Sequence, residues 1–338
     1  MSLKRAVDCI RKYNNFLITS HTNPEGDALG SELAFYLLLK KLGKDATIVN
    51  EDGIPLEYNF LPQKFNIKKY FRKSPIPPHP KFQAQGVDLT KRISFDCFVA
   101  LDCSDLNRTG EVYRMNTPKA PILNIDHHIS NQRFGDINWV DPDASSCSEM
   151  IYKIYKRLRI PLDRETAILL YVGMLTDTGS FRYTNTSSFT HKAVAELLKY
   201  NLDIAQIYKN IYEDITFQDM KFLARILPGM KRFAGGRIAW FEIRRNLLKH
   251  KKLSFDLSDT LLGFARAIKG VKVCVLFKEN LGAKDEVRVN FRSHGEVDVN
   301  SIASFFQGGG HRTASGATIC GNIEQIRRRV LAKIKEVL

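Results

Sequence analysis

Short apolar runs recur through the first half of the chain, and each of them ends in polar residues. Phe16-Leu17-Ile18-Thr19-Ser20 predicts a short buried strand, and Ala46 to Val49, Phe98 to Leu101 and Pro121 to Ile125 predict three more. Between the first two, Leu29, Leu33, Tyr36 and Leu37 recur at helical spacing within the stretch Leu29 to Leu42. Strands separated by helical stretches predict an α/β fold with a doubly wound parallel sheet. Ser146-x-x-Glu149, ahead of Met150, Ile151, Ile154, Tyr155 and Leu158, predicts a capping box opening an amphipathic helix. Pro75, Pro77, Pro78 and Pro80 crowd the stretch from Ser74 to Thr90, which predicts a loop rather than a sheet interior.

The texture changes after about Tyr212. A further helical stretch runs to Leu227-Pro228-Gly229, Gly235-Gly236 predicts a turn, and Ile238 to Ile243 and Val271 to Phe277 predict strands. Val287 to Arg292 alternates with period two, which buries one face and leaves Arg288, Asn290 and Arg292 on the other. The last helix, Ile323 to Val337, is expected to bury Ile323, Ile326, Val330, Ile334 and Val337. With 338 residues the chain exceeds one ordinary core. The patterns divide it into a first domain over 1–213, a linker over 214–232 and a smaller α/β domain over 233–338.

Composition narrows the class. Hydrophobic residues are 44% and charged residues 26%, a globular balance. No apolar run approaches the roughly 20 residues that span a bilayer, and Met1 to Asn15 lacks the pattern of a secretory signal. Cys9, Cys97, Cys103, Cys147, Cys274 and Cys320 form no C-x-x-C pair, so they read as reduced thiols of a cytoplasmic protein rather than as a zinc site. The net charge of +15 favours polyanionic partners. Basic residues cluster at Lys64, Lys68, Lys69, Arg72 and Lys73, at Arg244, Arg245, Lys249, Lys251 and Lys252, and at Arg327, Arg328 and Arg329. Each cluster alone reads as a solvated face.

Candidate chemistry lies where the predicted strands end, which is where a doubly wound sheet binds its ligands. His21 follows the first strand and opens His21-Thr22-Asn23-Pro24-Glu25-Gly26-Asp27; Asp102 follows Leu101; Asp126-His127-His128 follows Ile125; and Asp177 sits in Thr176-Asp177-Thr178-Gly179-Ser180. Gathering these acids at one edge costs a few kcal/mol, roughly, for each close pair. Bound cations offset that repulsion. Carboxylate and imidazole donors without thiolate suit manganese, with cobalt or magnesium as substitutes.

These ordered segments resemble the DHH/DHHA1 phosphoesterase family, and within it the nanoRNase and pAp phosphatase group. The Val287 to Ser293 strand and Gln307-Gly308-Gly309-Gly310-His311-Arg312 extend the resemblance to the DHHA1 signature, so it covers nearly the whole chain. The resemblance implies a catalytic DHH domain, a substrate-binding DHHA1 domain and two divalent metal ions. One ion would be held by His21, Glu25 and Asp102, the other by Asp27, Asp102, His127 and Asp177. His128 would face the phosphate and Asp126 would orient the histidines. Two chain positions depart from the family pattern. Glu25 stands where Asp is usual, and Gln307 where glycine is usual.

Two divalent cations can clamp an in-line displacement at phosphorus, and His128 and Arg108 are the candidate hydrogen-bond donors to the phosphoryl oxygens. Arg108 reads equally well as a structural ion-pair partner. Gly308, Gly309 and Gly310 would let main-chain N–H groups approach an anion, with His311, Arg312 and Arg292 as directed donors. The expected substrates are short RNA and adenosine 3′,5′-bisphosphate (pAp). A phosphodiesterase of linear or cyclic dinucleotides and a catalytically inactive nucleic-acid-binding protein stay open as other readings. The family often forms homodimers.

Overall fold

A computed structural model describes residues 2–70, 93–116, 119–248, 258–279 and 285–338. The proline-rich stretch and the basic residues Arg72, Lys73, Lys249, Lys251 and Lys252 lie outside the described residues. The chain divides into two compact units, Met1–Ile211 and Tyr212–Leu338.

The first unit opens with helix α1 (Leu3–Lys12), strand β1 (Asn15–Thr19), helix α2 (Gly26–Lys41) and strand β2 (Asp45–Asn50). Strands β3 (Ile67–Lys69), β4 (Cys97–Leu101), β5 (Ile122–Asp126) and β6 (Ile137–Val140) follow. Helices α3 (Cys147–Leu158), α4 (Arg164–Asp177), α5 (Ser188–Leu198) and α6 (Ile204–Tyr208) complete it. The six strands form one sheet in the order β3-β2-β1-β4-β5-β6, and every neighbouring pair is parallel. The order reverses between β1 and β4, which places a crevice beyond their carboxyl ends. Leu17, Val49, Phe98 and Ala100 point to one face and bury against Val112, Leu106 and Tyr113 of two short 3-10 turns. Helix α2 contacts β1, β2 and β4 and packs on α3 and α4.

The close approach of α2 and α4 is built from glycine. A Cβ on Gly30 would lie 2.4 Å from the Leu169 carbonyl oxygen, and one on Gly26 would lie 2.6 Å from the Thr176 side chain. Helix α2 is consequently buried on almost every side of its first half, rather than presenting a single apolar stripe. The capping box predicted for α3 is half formed. Ser146 Oγ accepts the Glu149 N–H at 3.0 Å, but the Glu149 carboxylate turns to the hydroxyls of Ser145 (2.7 Å) and Thr190 (2.8 Å).

The second unit holds helices α7 (Phe217–Ile226), α8 (Arg245–Leu248), α9 (Ser258–Arg266), α10 (Val299–Phe305) and α11 (Ile323–Glu336). Its sheet runs β11-β12-β10-β9-β8-β7, with β7 (Lys231–Phe233), β8 (Ile238–Ile243), β9 (Val273–Glu279), β10 (Glu286–Ser293), β11 (Gly309–Gly310) and β12 (Ala314–Cys320). Only β8 and β9 pair in parallel. One face packs Trp240, Phe277, Val289 and Phe291 under Ile302, Ile326, Val330 and Ile334. The other packs Ala239, Phe241 and Leu276 under Phe222, Leu223, Ile226, Leu261 and Leu262.

That second layer changes the reading of residues 214–232. The stretch contains α7, and Phe222, Leu223 and Ile226 are buried core residues of the second unit. Each such side chain contributes about 1.5–3 kcal/mol when fully buried, so the segment belongs to that core rather than to a connection. Strand β10 alternates as its pattern predicts, with Val287, Val289 and Phe291 buried and Arg288, Asn290 and Arg292 opposite. Val337 is 46% exposed, because α11 stops at Glu336 before its face comes round again. No helix among the described residues is long and apolar enough to cross a membrane.

Candidate metal centre

The crevice beyond β1, β4 and β5 collects the expected side chains of the first unit. His21 follows β1 and turns its Nδ1 to the Thr22 carbonyl at 2.8 Å, so its Nε2 faces Asp102 Oδ2 at 3.5 Å. Asp102 follows β4 directly, with φ of 53°, a left-handed backbone that costs most residues about 1 kcal/mol and Asp or Asn less. His127 follows β5; its Nδ1 meets the Ala144 carbonyl at 3.2 Å. Its Nε2 then stands 3.5 Å from Asp102 Oδ1, 3.5 Å from Asp177 Oδ2 and 3.7 Å from Asp27 Oδ2.

Each acid reaches that point for a local reason. Asp27 lies in the first turn of α2 and accepts the N–H groups of Cys147 (2.6 Å) and Ser148 (2.8 Å), which open α3. Two positive helix ends therefore face its carboxylate. Asp177 ends α4, where the helix dipole disfavours an anion. Asn185 Nδ2 steadies it by donating to its main-chain carbonyl at 3.1 Å. Asp126 ends β5 fully buried; its Oδ1 accepts the His127 N–H (2.8 Å) and His128 Nδ1 (2.7 Å), and its Oδ2 accepts Asn131 Nδ2 (2.6 Å).

The electrostatics are unbalanced without a cation. Burial, with the Asp102 charge added, pushes the Asp27 carboxyl up to about 6, against the pull of His127. Burial also lifts Asp177 well above the carboxylate range, with Asp27 and Asp102 adding to the rise against His127. Burial would raise Asp102 as well, but the imidazoles of His127, His21 and His128 outweigh it and hold this carboxyl low. Burial works against a protonated His127, yet Asp177, Asp102 and Asp27 raise its pKa well above the usual value. Asp102 Oδ1 is buried and accepts no hydrogen bond among the described residues. Donor atoms of Asp27, Asp102 and His127 lie within 4.8 Å of one another, as do those of Asp102, Asp126 and His128. A compact set of hard oxygen and imidazole donors, drawn together against their own repulsion, fits a divalent cation.

Glu25 occupies the cap position of α2 but makes no side-chain cap hydrogen bond, and its exposed carboxylate reaches the cluster as a charge felt by Asp177. Arg108 is half-buried on the 3-10 turn after β4. Its main-chain carbonyl accepts the Thr22 N–H at 2.7 Å and ties its 3-10 turn to the loop after β1.

The C-terminal candidates lie in the second unit, where the glycine run leads into the edge of the sheet. Gly309 and Gly310 form β11 against Gly316 and Ser315. A Cβ on Gly308 would lie 2.2 Å from the Gly316 carbonyl oxygen, and one on Gly310 would lie 2.6 Å from that of Ala314. The Gly308 N–H is committed to the Ala303 carbonyl at 2.8 Å. Close backbone packing accounts for glycine at 308 and 310. His311 and Ala314 close the hairpin to β12, and Arg312 donates to the Gly295 carbonyl at 3.0 Å. Arg292 pairs with Asp259 at 2.5 Å. Gln307, the departure from the family pattern, has φ of 61°, a backbone that favours the glycine usual there.

Three supporting residues escape the strand-end reading. Asn131 and Asn185 have ordinary loop signals. Gly173 makes room for Asp27 from α4, and its only trace in the sequence is a small residue inside an apolar helical run.

The DHH family, N-terminal domain, matches residues 15–174, and the DHHA1 domain matches residues 243–338. The chain is 31% identical to the bifunctional oligoribonuclease and PAP phosphatase NrnA of Thermus thermophilus, covering 95% of this chain and 89% of that one. It is 28% identical to the protein of the same name from Bacillus subtilis, covering 93% and 92%. The crystal structure of an exopolyphosphatase-related protein from Bacteroides fragilis superposes with a TM-score of 0.82 at 24% identity, over 98% of this chain and 97% of that one, and so shares the fold.

Proposed function

The chain belongs to the DHH/DHHA1 phosphoesterase family, and on that premise we propose that it hydrolyses short oligoribonucleotides to mononucleotides and pAp to AMP. The convergence of Asp27, Asp102 and Asp177 on His127 Nε2, at 3.5 to 3.7 Å, carries the reading that it is catalytically competent. A decayed relative has no need to retain so costly a cluster. The substrate class is taken from the relatives named oligoribonuclease and PAP phosphatase.

In this proposal His21, Glu25, Asp27, Asp102, His127 and Asp177 would hold two divalent cations. Manganese is the assigned metal, with cobalt or magnesium as substitutes, from the oxygen and nitrogen donor set. When bound, such cations supply Lewis acidity at the phosphoryl oxygens. Asp126 holds the His128 ring through Nδ1, and His128 would donate to a phosphoryl oxygen. Arg108 supplies a second donor. The first unit is the catalytic domain, and the second recognises the nucleotide through Arg292, His311 and Arg312, with Gly308, Gly309 and Gly310 shaping the backbone they stand on.

One assay tests the proposal. The purified protein with Mn²⁺ is offered pAp, linear diadenylate, cyclic diadenylate and RNAs from dinucleotides to long strands. Turnover of pAp and of the shortest RNAs is expected. Preference for cyclic diadenylate would replace this reading with that of a dinucleotide phosphodiesterase, and no turnover of any substrate would overturn it.

A further inference from the structure

Helix α10 ends in two phenylalanines that are treated very differently. Phe306 is 8% exposed and joins the core, whereas Phe305 is 62% exposed. Their rings meet edge to face, with centroids 5.0 Å apart at 86°. Helix α11 lines its cations along them: Lys333 Nζ lies 4.6 Å from the Phe305 ring centroid and Arg329 Cζ lies 5.8 Å from that of Phe306. Of the basic run that the sequence singles out, Arg327 is absorbed by Glu242 and the Trp240 ring. Arg328 and Arg329 stay exposed, and Arg329 forms no ion pair among the described residues. Lys333 is partly balanced by Glu336 at 2.8 Å.

Phe305 thus presents an exposed flat ring beside an edge contact and a cation. A protein partner that merely buried Phe305 would have to desolvate the surrounding cations. A double-stranded polyanion would meet the cations but has no base to place on the ring. Single-stranded nucleic acid satisfies both, because its bases stack on aromatic faces while its phosphates meet Arg and Lys. We propose that Phe305, Arg329 and Lys333, with Arg328 beside them, form an accessory site for single-stranded RNA in the second unit, one base stacking on Phe305 and the flanking phosphates on the cations. This inference rests on the oligoribonuclease reading, and it adds a contact that a mononucleotide substrate does not use.

The test compares full-length Phe305→Ala, Phe305→Trp and Arg329→Glu with the parent, in Mn²⁺, on pAp and on a ladder of RNA lengths. Phe305→Ala and Arg329→Glu are expected to raise KM about tenfold on the longer RNAs, with KM for pAp unchanged, and Phe305→Trp is expected to restore the parent value. Unchanged KM for all RNAs overturns the proposal, as does an equal rise for pAp and RNA. A change of oligomeric state in Phe305→Ala with RNA binding intact also overturns it, in favour of a protein interface. If the parent turns over no substrate, the oligoribonuclease reading has failed by itself. Fluorescence anisotropy with a labelled RNA then decides the accessory site: binding weakened by Phe305→Ala sustains it, and binding unaffected by that change overturns it.

Discussion

Gly173 in α4 stands so close to Asp27 in α2 that a Cβ on it would lie 2.7 Å from the Asp27 carboxylate and 1.9 Å from Ser148 Oγ. Neither neighbour can retreat easily, since Asp27 is held by two main-chain N–H groups at the start of α3. Gly173→Ala is therefore expected to lower stability by about 1–3 kcal/mol through overpacking, despite the helix preference for alanine. It should weaken metal affinity at the same time. Thermal unfolding with and without Mn²⁺ checks this. A variant as stable as the parent, with the same response to metal, would show that the site tolerates the displacement.

Asp102 combines a left-handed backbone with a position facing His21, His127 and His128. Asn tolerates that backbone as well as Asp does, so Asp102→Asn separates charge from conformation. The expected outcome is a folded protein with an unchanged far-UV spectrum and kcat reduced by at least about a hundredfold, the scale of losing one central electrostatic group. Parent-like turnover in Asp102→Asn would remove Asp102 from the chemistry.

Chelation gives an independent measurement. Three buried or partly buried carboxylates around one imidazole repel one another when the site is bare, so EDTA is expected to lower the melting temperature as well as silence hydrolysis. Adding Mn²⁺ to about a hundred times its Kd should return about 2.7 kcal/mol. Differential scanning calorimetry reads the shift. A melting temperature indifferent to EDTA and Mn²⁺ would contradict metal binding at this cluster.

Away from the cluster, Glu32 is buried on α2, and its Oε2 accepts the Asn50 side-chain N–H at 2.8 Å. Burial pushes its carboxyl up to about 8, and the hydrogen bonds only partly oppose the rise. A carboxyl raised by folding contributes stability that is full below its ordinary pKa and lost as pH climbs through the folded value. Stability should therefore fall as pH rises from the ordinary carboxyl range through about 8. Glu32→Gln keeps an acceptor for Asn50 and is expected to flatten that slope. Thermal melts of both proteins from about pH 5 to about pH 9 make the comparison, and parallel slopes would show that Glu32 is not the group responsible.

The strands that carry the cluster were legible because β1, β4 and β5 are short buried runs that end abruptly in His21, Asp102 and Asp126. Parallel strands covered on both faces have to read that way. The edge strand β3, of three mostly exposed residues, leaves no such run, and β12 is written largely in small residues, Ala314-Ser315-Gly316-Ala317. Helix α7 was legible as a helical stretch, but its shortness hid its place in the second core: Phe222, Leu223 and Ile226 mark one apolar stripe in ten residues. The glycines at 308–310 carried a signal that was real but ambiguous, since an anion nest and a backbone pressed against Gly316 require the same residue. Distances from His127 Nε2 to three carboxylates depend on how α2 and α4 seat against each other, which no local pattern encodes.

Asp27 belongs to two structures at once, as part of the acidic cluster and as the acceptor for the first amides of α3. Whatever draws its carboxylate toward His127 must compete with those amides or tighten with them. The exchange of the Cys147 and Ser148 amide protons with solvent thus becomes a local gauge of the cluster's state. Through it, events at the end of one helix are written into the fraying of another.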